Sequence, residues 1–356
     1  TNSDVKRISK ILLNWYDSNA RFLPWREKLK KSPYHVWISE VMLQQTTVGA
    51  VIPRYNSFIK RWPNVKQLSL ASIDEVLHEW QGLGYYSRAH NIHKTAKIVS
   101  NIYESKFPED IKSLKSLPGI GDYTAGAVAS IAFSVPTLPI DVNIERVLAR
   151  VSGVFKRDKN FKNKIKKFAS LFQEPKRPGD LTQAFMDFGS NLCKLNNPIC
   201  DKCPLSIFCI SFKEKIVHAV PGKKVSGIRK KKYGITFFIL NEKGQFLLRK
   251  RKNGKIFRGM MEIPMTPLSK EKYDLKCLSK FYPVECDWKD KNIYIKSPLS
   301  GFEVYIHILL GKIAIQDYDS SEGVWVSLSK IRNYAIPSIF KKIISKVEKT
   351  DLSILN

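Results

Sequence analysis

No run of eighteen or more apolar residues occurs anywhere in the 356-residue chain, and the segment Thr1 to Trp15 is too polar for a signal-peptide core. Membrane spanning and export are not expected, and a cytoplasmic protein of bacterial type is. Acidic residues are scarce, 32 Asp and Glu against 60 Lys and Arg, which leaves a formal charge of +28 at pH 7. A polyanionic partner answers such an imbalance, and so does a merely lysine-rich solvated surface. Cysteine is scarce as well: of six, four fall between Cys193 and Cys209, while Cys277 and Cys286 stand apart. A disulfide framework does not space itself that way in a long chain, so a reducing compartment and a metal site fit better. Internal repeats and low-complexity tracts are also missing.

A chain of this length predicts two domains. From Val5 to Phe208 apolar residues recur at three- and four-residue spacing, broken by Pro, Gly and Asn signals, so residues 1–212 are expected to form an all-α domain. Residues 213–232 read as a basic linker containing Pro221-Gly222-Lys223-Lys224 and Arg229-Lys230-Lys231-Lys232. Beyond it, Tyr233–Leu240, Gln245–Arg249, Ile293–Lys296, Phe302–Ile313 and Val324–Leu328 are β-branched or aromatic runs, with Asn241 to Gly244 as a turn. Ile336–Lys346 has the spacing of an amphipathic helix, which makes residues 233–356 an α+β domain.

The cysteines are spaced Cys193-x6-Cys200-x2-Cys203-x5-Cys209, with Pro198 and Pro204 favouring tight turns. Structural zinc sites usually pair two short knuckles, and only one occurs here; four irregularly spaced thiolates suit a 4Fe-4S cluster, with zinc or four buried thiols as alternatives. Ser113 to Gly126 places Leu117-Pro118-Gly119-Ile120-Gly121 between two helical segments. Gly119 and Gly121 allow close backbone approach, Asp122 can cap the following helix, and a helix N-terminus attracts phosphate; a plain helix connector would look the same.

Two acids stand in apolar settings. Ser32 and Pro33 mark a helix start, and Tyr34 to Val48 is predicted to be a buried helix on which Glu40 shares a face with Val36, Trp37 and Leu43. A poorly solvated carboxylate holds its proton tightly, which suits a general acid; a buried ion pair with Arg26 or Arg54 is the structural alternative. Asp141 precedes the helical spacing of Val142 to Val151, where it is either a functional carboxylate or an N-cap.

Together these features resemble the helix-hairpin-helix base-excision superfamily that includes endonuclease III, and more closely its MutY branch, the adenine DNA glycosylases. The resemblance is carried by Leu23-Pro24-Trp25-Arg26, Ser39 to Thr46, Gln81 to Arg88, the hairpin, Ile140-Asp141-Val142-Asn143 and the four cysteines. It includes a 4Fe-4S cluster on Cys193, Cys200, Cys203 and Cys209; four thiolates far in sequence from both acids and with no open ligand position read as a structural centre that folds its loop and presents Lys194 and Lys202 to phosphate. It also implies that Glu40 protonates a flipped adenine and that Asp141 stabilises the cationic sugar before water completes hydrolysis. Tyr123 stands where lyase members carry a lysine, so Schiff-base chemistry lacks its nucleophile. Tyr123 and Asn143 are expected to support the acids, Arg26 and Gln183 to lie near the adenine, and Gln45, Leu83 and Tyr85 to fill the base stack.

The C-terminal half resembles the family's Nudix-like domain through Phe257 to Pro264, with Met261 in place of tryptophan and no glutamate-rich helix following. The family's Phe-Ser-His loop for 8-oxoguanine, followed by an apolar strand, is best matched by Tyr305-Ile306-His307; Leu299-Ser300-Gly301 keeps only the serine. The partner implied is double-stranded DNA containing adenine mispaired with 8-oxoguanine or guanine, bound by a monomer. An endonuclease-III-like glycosylase with lyase activity on oxidised pyrimidines is the second enzymatic reading. A DNA-binding scaffold without turnover is the third.

Overall fold

The computed structural model describes residues 2–26, 32–222, 229–252, 256–299, 301–315 and 323–350. Lys223 and Lys224 of the expected linker and Ser300 of the alternative recognition loop lie outside the described residues. The chain divides into two compact units, one built from Thr1–Leu70 and Asn91–Ser226, the other from Ala71–His90 and Gly227–Asn356. Ala71–His90 thus groups with the C-terminal half rather than with the helices around it in sequence. Inside that second unit Lys250 Nζ donates to Asp74 at 2.7 Å, His78 Nε2 meets the Arg332 carbonyl at 2.9 Å, and Lys341 Nζ donates to Gln81 at 2.8 Å. Contacts across so many residues leave no local pattern in the sequence.

Thirteen α-helices are described: α1 (Asn2–Asn19), α2 (Pro33–Leu43), α3 (Val48–Arg61), α4 (Val65–Leu70), α5 (Ile73–Glu79), α6 (Ser87–Ile102), α7 (Ile111–Ser116), α8 (Asp122–Ala132), α9 (Val142–Ser152), α10 (Phe161–Ala169), α11 (Pro178–Asn191), α12 (Ile210–Lys213) and α13 (Ser338–Glu348). In the first unit Val5, Ile8, Leu12 and Tyr16 make a helical stripe on α1 that packs with Ile144, Val147, Leu148 and Val151 of α9 and Leu181, Phe185 and Phe188 of α11. Helix α2 is buried nearly all round, as its residues predict. It ends earlier than expected, at Leu43 rather than Val48. Gln44 turns extended at φ −57, ψ 112 and Gln45 takes a left-handed φ of 56, so the chain changes direction before α3 although the apolar pattern runs on.

The second unit carries strands β1 (Lys230–Asn241), β2 (Phe246–Lys250), β3 (Met261–Glu262), β4 (Lys289–Leu299), β5 (Phe302–Ile313) and β6 (Val324–Val326). They form one sheet in the order β3-β2-β1-β5-β4, with β6 on β2. Parallel pairing of β1 with β5 runs from Lys230 opposite Phe302 to Asn241 opposite Ile313. Side chains alternate between faces along a strand. Val304, Ile306, Ile308 and Leu310 of β5 therefore pack with Ile339, Phe340, Ile343 and Val347 of α13, while Leu309 packs on the other face with Ile235, Phe237 and Leu278.

Candidate active site

Within the first unit a cavity of about 810 Å³ brings together Arg26, Glu40, Gln45, Tyr123, Asp141, Asn143 and Gln183, seven residues singled out in the sequence. Four elements and a turn deliver them. Arg26 ends the short 3-10 turn Pro24–Arg26, Glu40 comes from α2, Tyr123 from the first turn of α8, Asp141 and Asn143 from the start of α9, and Gln183 from α11.

Glu40 is 7 % exposed, and its Oε2 accepts a hydrogen bond from the Tyr123 hydroxyl at 2.7 Å. Burial pushes its pKa up to about 7; the Tyr123 hydrogen bond and the Arg26 charge oppose that rise, and the Asp141 charge adds to it. Arg26 is not its ion-pair partner, because both Nη atoms donate to Asp187. Asp141 both caps α9 and lines the cavity. Oδ1 caps α9 by accepting from the Ile144 N–H at 2.6 Å, Oδ2 accepts from Asn143 Nδ2 at 2.9 Å, and the residue still lines the cavity. Burial raises its pKa against those hydrogen bonds.

Two buried arginines, which sequence reasoning passed over, tie this site to the cysteine segment. Arg146 donates from Nη2 to Asn143 Oδ1 at 2.9 Å and to the Gly189 carbonyl at 2.6 Å, and from Nε to the Cys193 carbonyl at 2.7 Å. Arg150, 2 % exposed, donates to the carbonyls of Lys194, Leu195, Val217 and Val220, and its Nη1 lies 3.4 Å from Cys193 Sγ. The only sequence signal was their four-residue spacing on one face of α9, a pattern shared with ordinary surface arginines.

Three thiols of the segment are shifted by their surroundings. Burial first, and then the neighbouring thiols, push Cys203 up to about 12 and raise Cys200 and Cys209. Among the described residues no group of three or more His, Cys, Asp or Glu could hold a single metal ion. An iron-sulfur cube attaches each thiolate to a different iron, so its four sulfurs stand farther apart than those around one ion.

The hairpin links α7 to α8 through Leu117–Gly121. Gly121 is the N-cap of α8, and Asp122 is its first residue rather than its cap, held instead by Lys115 Nζ at 2.5 Å. Gly119 adopts φ +78, and a Cβ there would lie 2.7 Å from Asn91 Cβ. Gly119→Ala is therefore expected to cost about 1–3 kcal/mol, read as a lower midpoint in denaturant unfolding.

Other expected residues fall elsewhere. Leu83 and Tyr85 belong to the second unit, where Leu83 is 4 % exposed in ordinary packing while Tyr85 is 43 % exposed with φ 44. Tyr305 and His307 are not in a loop. They lie mid-strand in β5, where Tyr305 donates to Glu303 at 2.6 Å and stacks on Tyr233, and His307 meets Asp290 at 2.8 Å and stacks on Tyr294. Strand β4 ends at Leu299 and β5 begins at Phe302, and Ser300 of the alternative placement lies outside the described residues.

Residues 38–171 match the model for the HhH-GPD superfamily base excision DNA repair protein, and residues 235–346 match that of a NUDIX domain. A solved thermostable thymine-DNA glycosylase superposes with a TM-score of 0.54 at 26 % identity, covering 60 % of this chain and 99 % of that one. An endonuclease III–DNA covalent intermediate shares the fold, with a TM-score of 0.52 at 22 % identity, covering 61 % and 99 %. Fold and site define a helix-hairpin-helix DNA glycosylase. Across 350 residues the chain is 34 % identical to the adenine DNA glycosylase of Buchnera aphidicola subsp. Schizaphis graminum (strain Sg), covering 95 % of this chain and 97 % of that protein. The human adenine DNA glycosylase is 40 % identical over 216 residues, 58 % of this chain and 40 % of its own. The chain belongs to the adenine DNA glycosylase family.

Proposed function

We propose that this protein hydrolyses the N-glycosidic bond of adenine mispaired with 8-oxoguanine or guanine in duplex DNA, acting as a monomer in the cytoplasm. The observation that carries this is the pairing of a protonatable Glu40 with Asp141 in one cavity. With Oε2 taken by the Tyr123 hydroxyl, Oε1 is the oxygen left to carry the proton. Glu40 passes that proton to a ring nitrogen of the extruded base, the C1′–N9 electron pair leaves with adenine, and Asp141 faces the cationic sugar. Water then bonds to C1′ and gives its proton to Glu40. Tyr123 offers no amine for imine formation, so the sugar-phosphate backbone is left intact.

In support, the Buchnera and human relatives are adenine DNA glycosylases by name. The charge of +28 suits a phosphate backbone, with Gly119, Gly121, Lys194 and Lys202 as contacts. Gln45, exposed and left-handed at the cavity, is suited to the gap left by an extruded base, and Tyr85 of the second unit is 43 % exposed. Recognition of the opposite base falls to the second unit, with Tyr305 and His307 as its candidate residues.

Comparing duplexes with adenine opposite 8-oxoguanine, adenine opposite guanine, and thymine glycol tests the reading. Adenine release without a borohydride-trapped complex is expected; trapping, or thymine glycol release, would favour the endonuclease-III-like alternative, and binding without release a scaffold.

Cys193, Cys200, Cys203 and Cys209 fit a 4Fe-4S cluster by donor chemistry, and a bound cluster would supply cross-linking of the loop rather than a chemical step. Anaerobically purified protein is expected to contain iron and acid-labile sulfide in equal amounts, and Cys203→Ser to lose both. Zinc in their place would refute the assignment.

A further inference from the structure

Asp187 lies on α11 among Phe185, Met186 and Phe188, and it is 0 % exposed. A carboxylate in such surroundings must be paired. Here it takes four hydrogen bonds from two arginines at the opposite end of the unit's sequence: the Arg21 backbone N–H at 2.9 Å, Arg21 Nε at 2.6 Å, Arg26 Nη1 at 2.7 Å and Arg26 Nη2 at 3.0 Å. The Arg26 contact is a fork on a carboxylate, which fixes the plane of the guanidinium as well as its place. Arg21 and Arg26 both line the cavity that holds Glu40.

We infer that Asp187 is a positioning residue: its buried carboxylate fixes the guanidinium groups of Arg21 and Arg26 in the cavity wall, where they orient the extruded base toward Glu40. This rests on the adenine-excision reading. Two guanidiniums and one carboxylate leave a charge of 2 − 1 = +1 at the wall. Cationic donors suit a purine, whose ring nitrogens are acceptors, and one carboxylate lessens the repulsion that the wall exerts on a base taking on a proton. Besides the two arginines, the titratable groups lining the cavity are Glu40 of α2, Tyr123 of α8, and Asp141 and Glu145 at the start of α9. Asp187 accepts hydrogen bonds from both arginines, so orientation of the pair falls to it.

The test is single-turnover excision and duplex affinity for wild type, Asp187→Asn, Asp187→Glu, Arg26→Lys and the Asp187→Asn/Arg26→Lys double variant. Asp187→Asn is expected to bind the mispaired duplex as wild type does but to excise about 100-fold more slowly, the scale of a misplaced reactant. Asp187→Glu, which keeps the charge, is expected to recover part of that rate. The double variant should be no slower than the slower single one. Loss of the Asp187 charge also leaves Arg26 free to draw Glu40 toward ionisation, so excision in Asp187→Asn should fall off at a lower pH than in wild type. A merely structural pair would not move that profile. If Asp187→Asn does not fold, Arg26→Lys decides, since it keeps the charge on Asp187 and removes the fork: a wild-type rate overturns the inference. So does a folded Asp187→Asn with wild-type rate and pH profile, or losses that multiply fully in the double variant. A wild-type protein that leaves adenine in place overturns the functional reading and this inference together; wild-type excision beside an unimpaired Asp187→Asn overturns the inference alone.

Discussion

Glu40→Gln is expected to slow single-turnover adenine excision by about 10²–10⁴-fold, the range that a positioned general acid contributes. The amide keeps the shape and the Tyr123 contact but has no proton to give. Wild-type excision should also decline above pH 7, where Glu40 with its pKa of about 7 loses its proton, tending toward tenfold per unit. The same shift has a sign in stability. Because the folded-state pKa lies above the ordinary 4.5, Glu40 contributes stability that is fully present below 4.5 and is lost as pH rises through about 7. At about 1.4 kcal/mol per unit that loss is on the order of 3 kcal/mol. Glu40→Gln escapes it, so above pH 7 the variant should melt no lower than wild type, and a variant both inactive and unstable there would refute the argument.

Asp141→Asn should separate chemistry from folding more sharply. Asn caps a helix about as well as Asp, so α9 keeps its start and thermal stability should change by less than about 1 kcal/mol. Excision should fall by about 10²–10³-fold, the scale seen when one electrostatic partner of a developing charge is removed. The Asp141 charge also raises the pKa of Glu40, so its removal should move the alkaline decline of excision to lower pH. An unchanged rate, or a loss matched by lost stability, would leave Asp141 as a cap alone.

How far the sequence carries the site depends on distance along the chain. Glu40 was legible because its neighbours at three and four residues are apolar, and a helix turns such spacing into burial. Strands β4 and β5 and helix α13 were legible for the same local reason. Asp187 was not, since an acid within an apolar helix looks like any isolated polar residue until Arg26, 161 positions away, meets it. The end of α2 was missed because Gln44 and Gln45 leave helical geometry without a Gly or Pro to announce it. Tyr305 and His307 satisfied the aromatic and imidazole of the expected loop, but a two-residue period serves sheet faces equally well, and both lie within β5. The grouping of Ala71–His90 with the second unit is likewise a product of long-range contacts.

Arg146 and Arg150 also bear on the order in which the protein is built. Both sit on α9, yet their acceptors lie at Gly189, Cys193 to Leu195, Val217 and Val220. A chain emerging from the ribosome makes the arginines before those carbonyls exist, and guanidiniums bound for the interior stay hydrated until they do. Asn143, which holds Asp141, is anchored through Arg146. On the proposed mechanism the carboxylate that faces the sugar is therefore fully anchored only once the cysteine segment has been made and docked, and a nascent first unit has little means of excising a base before then.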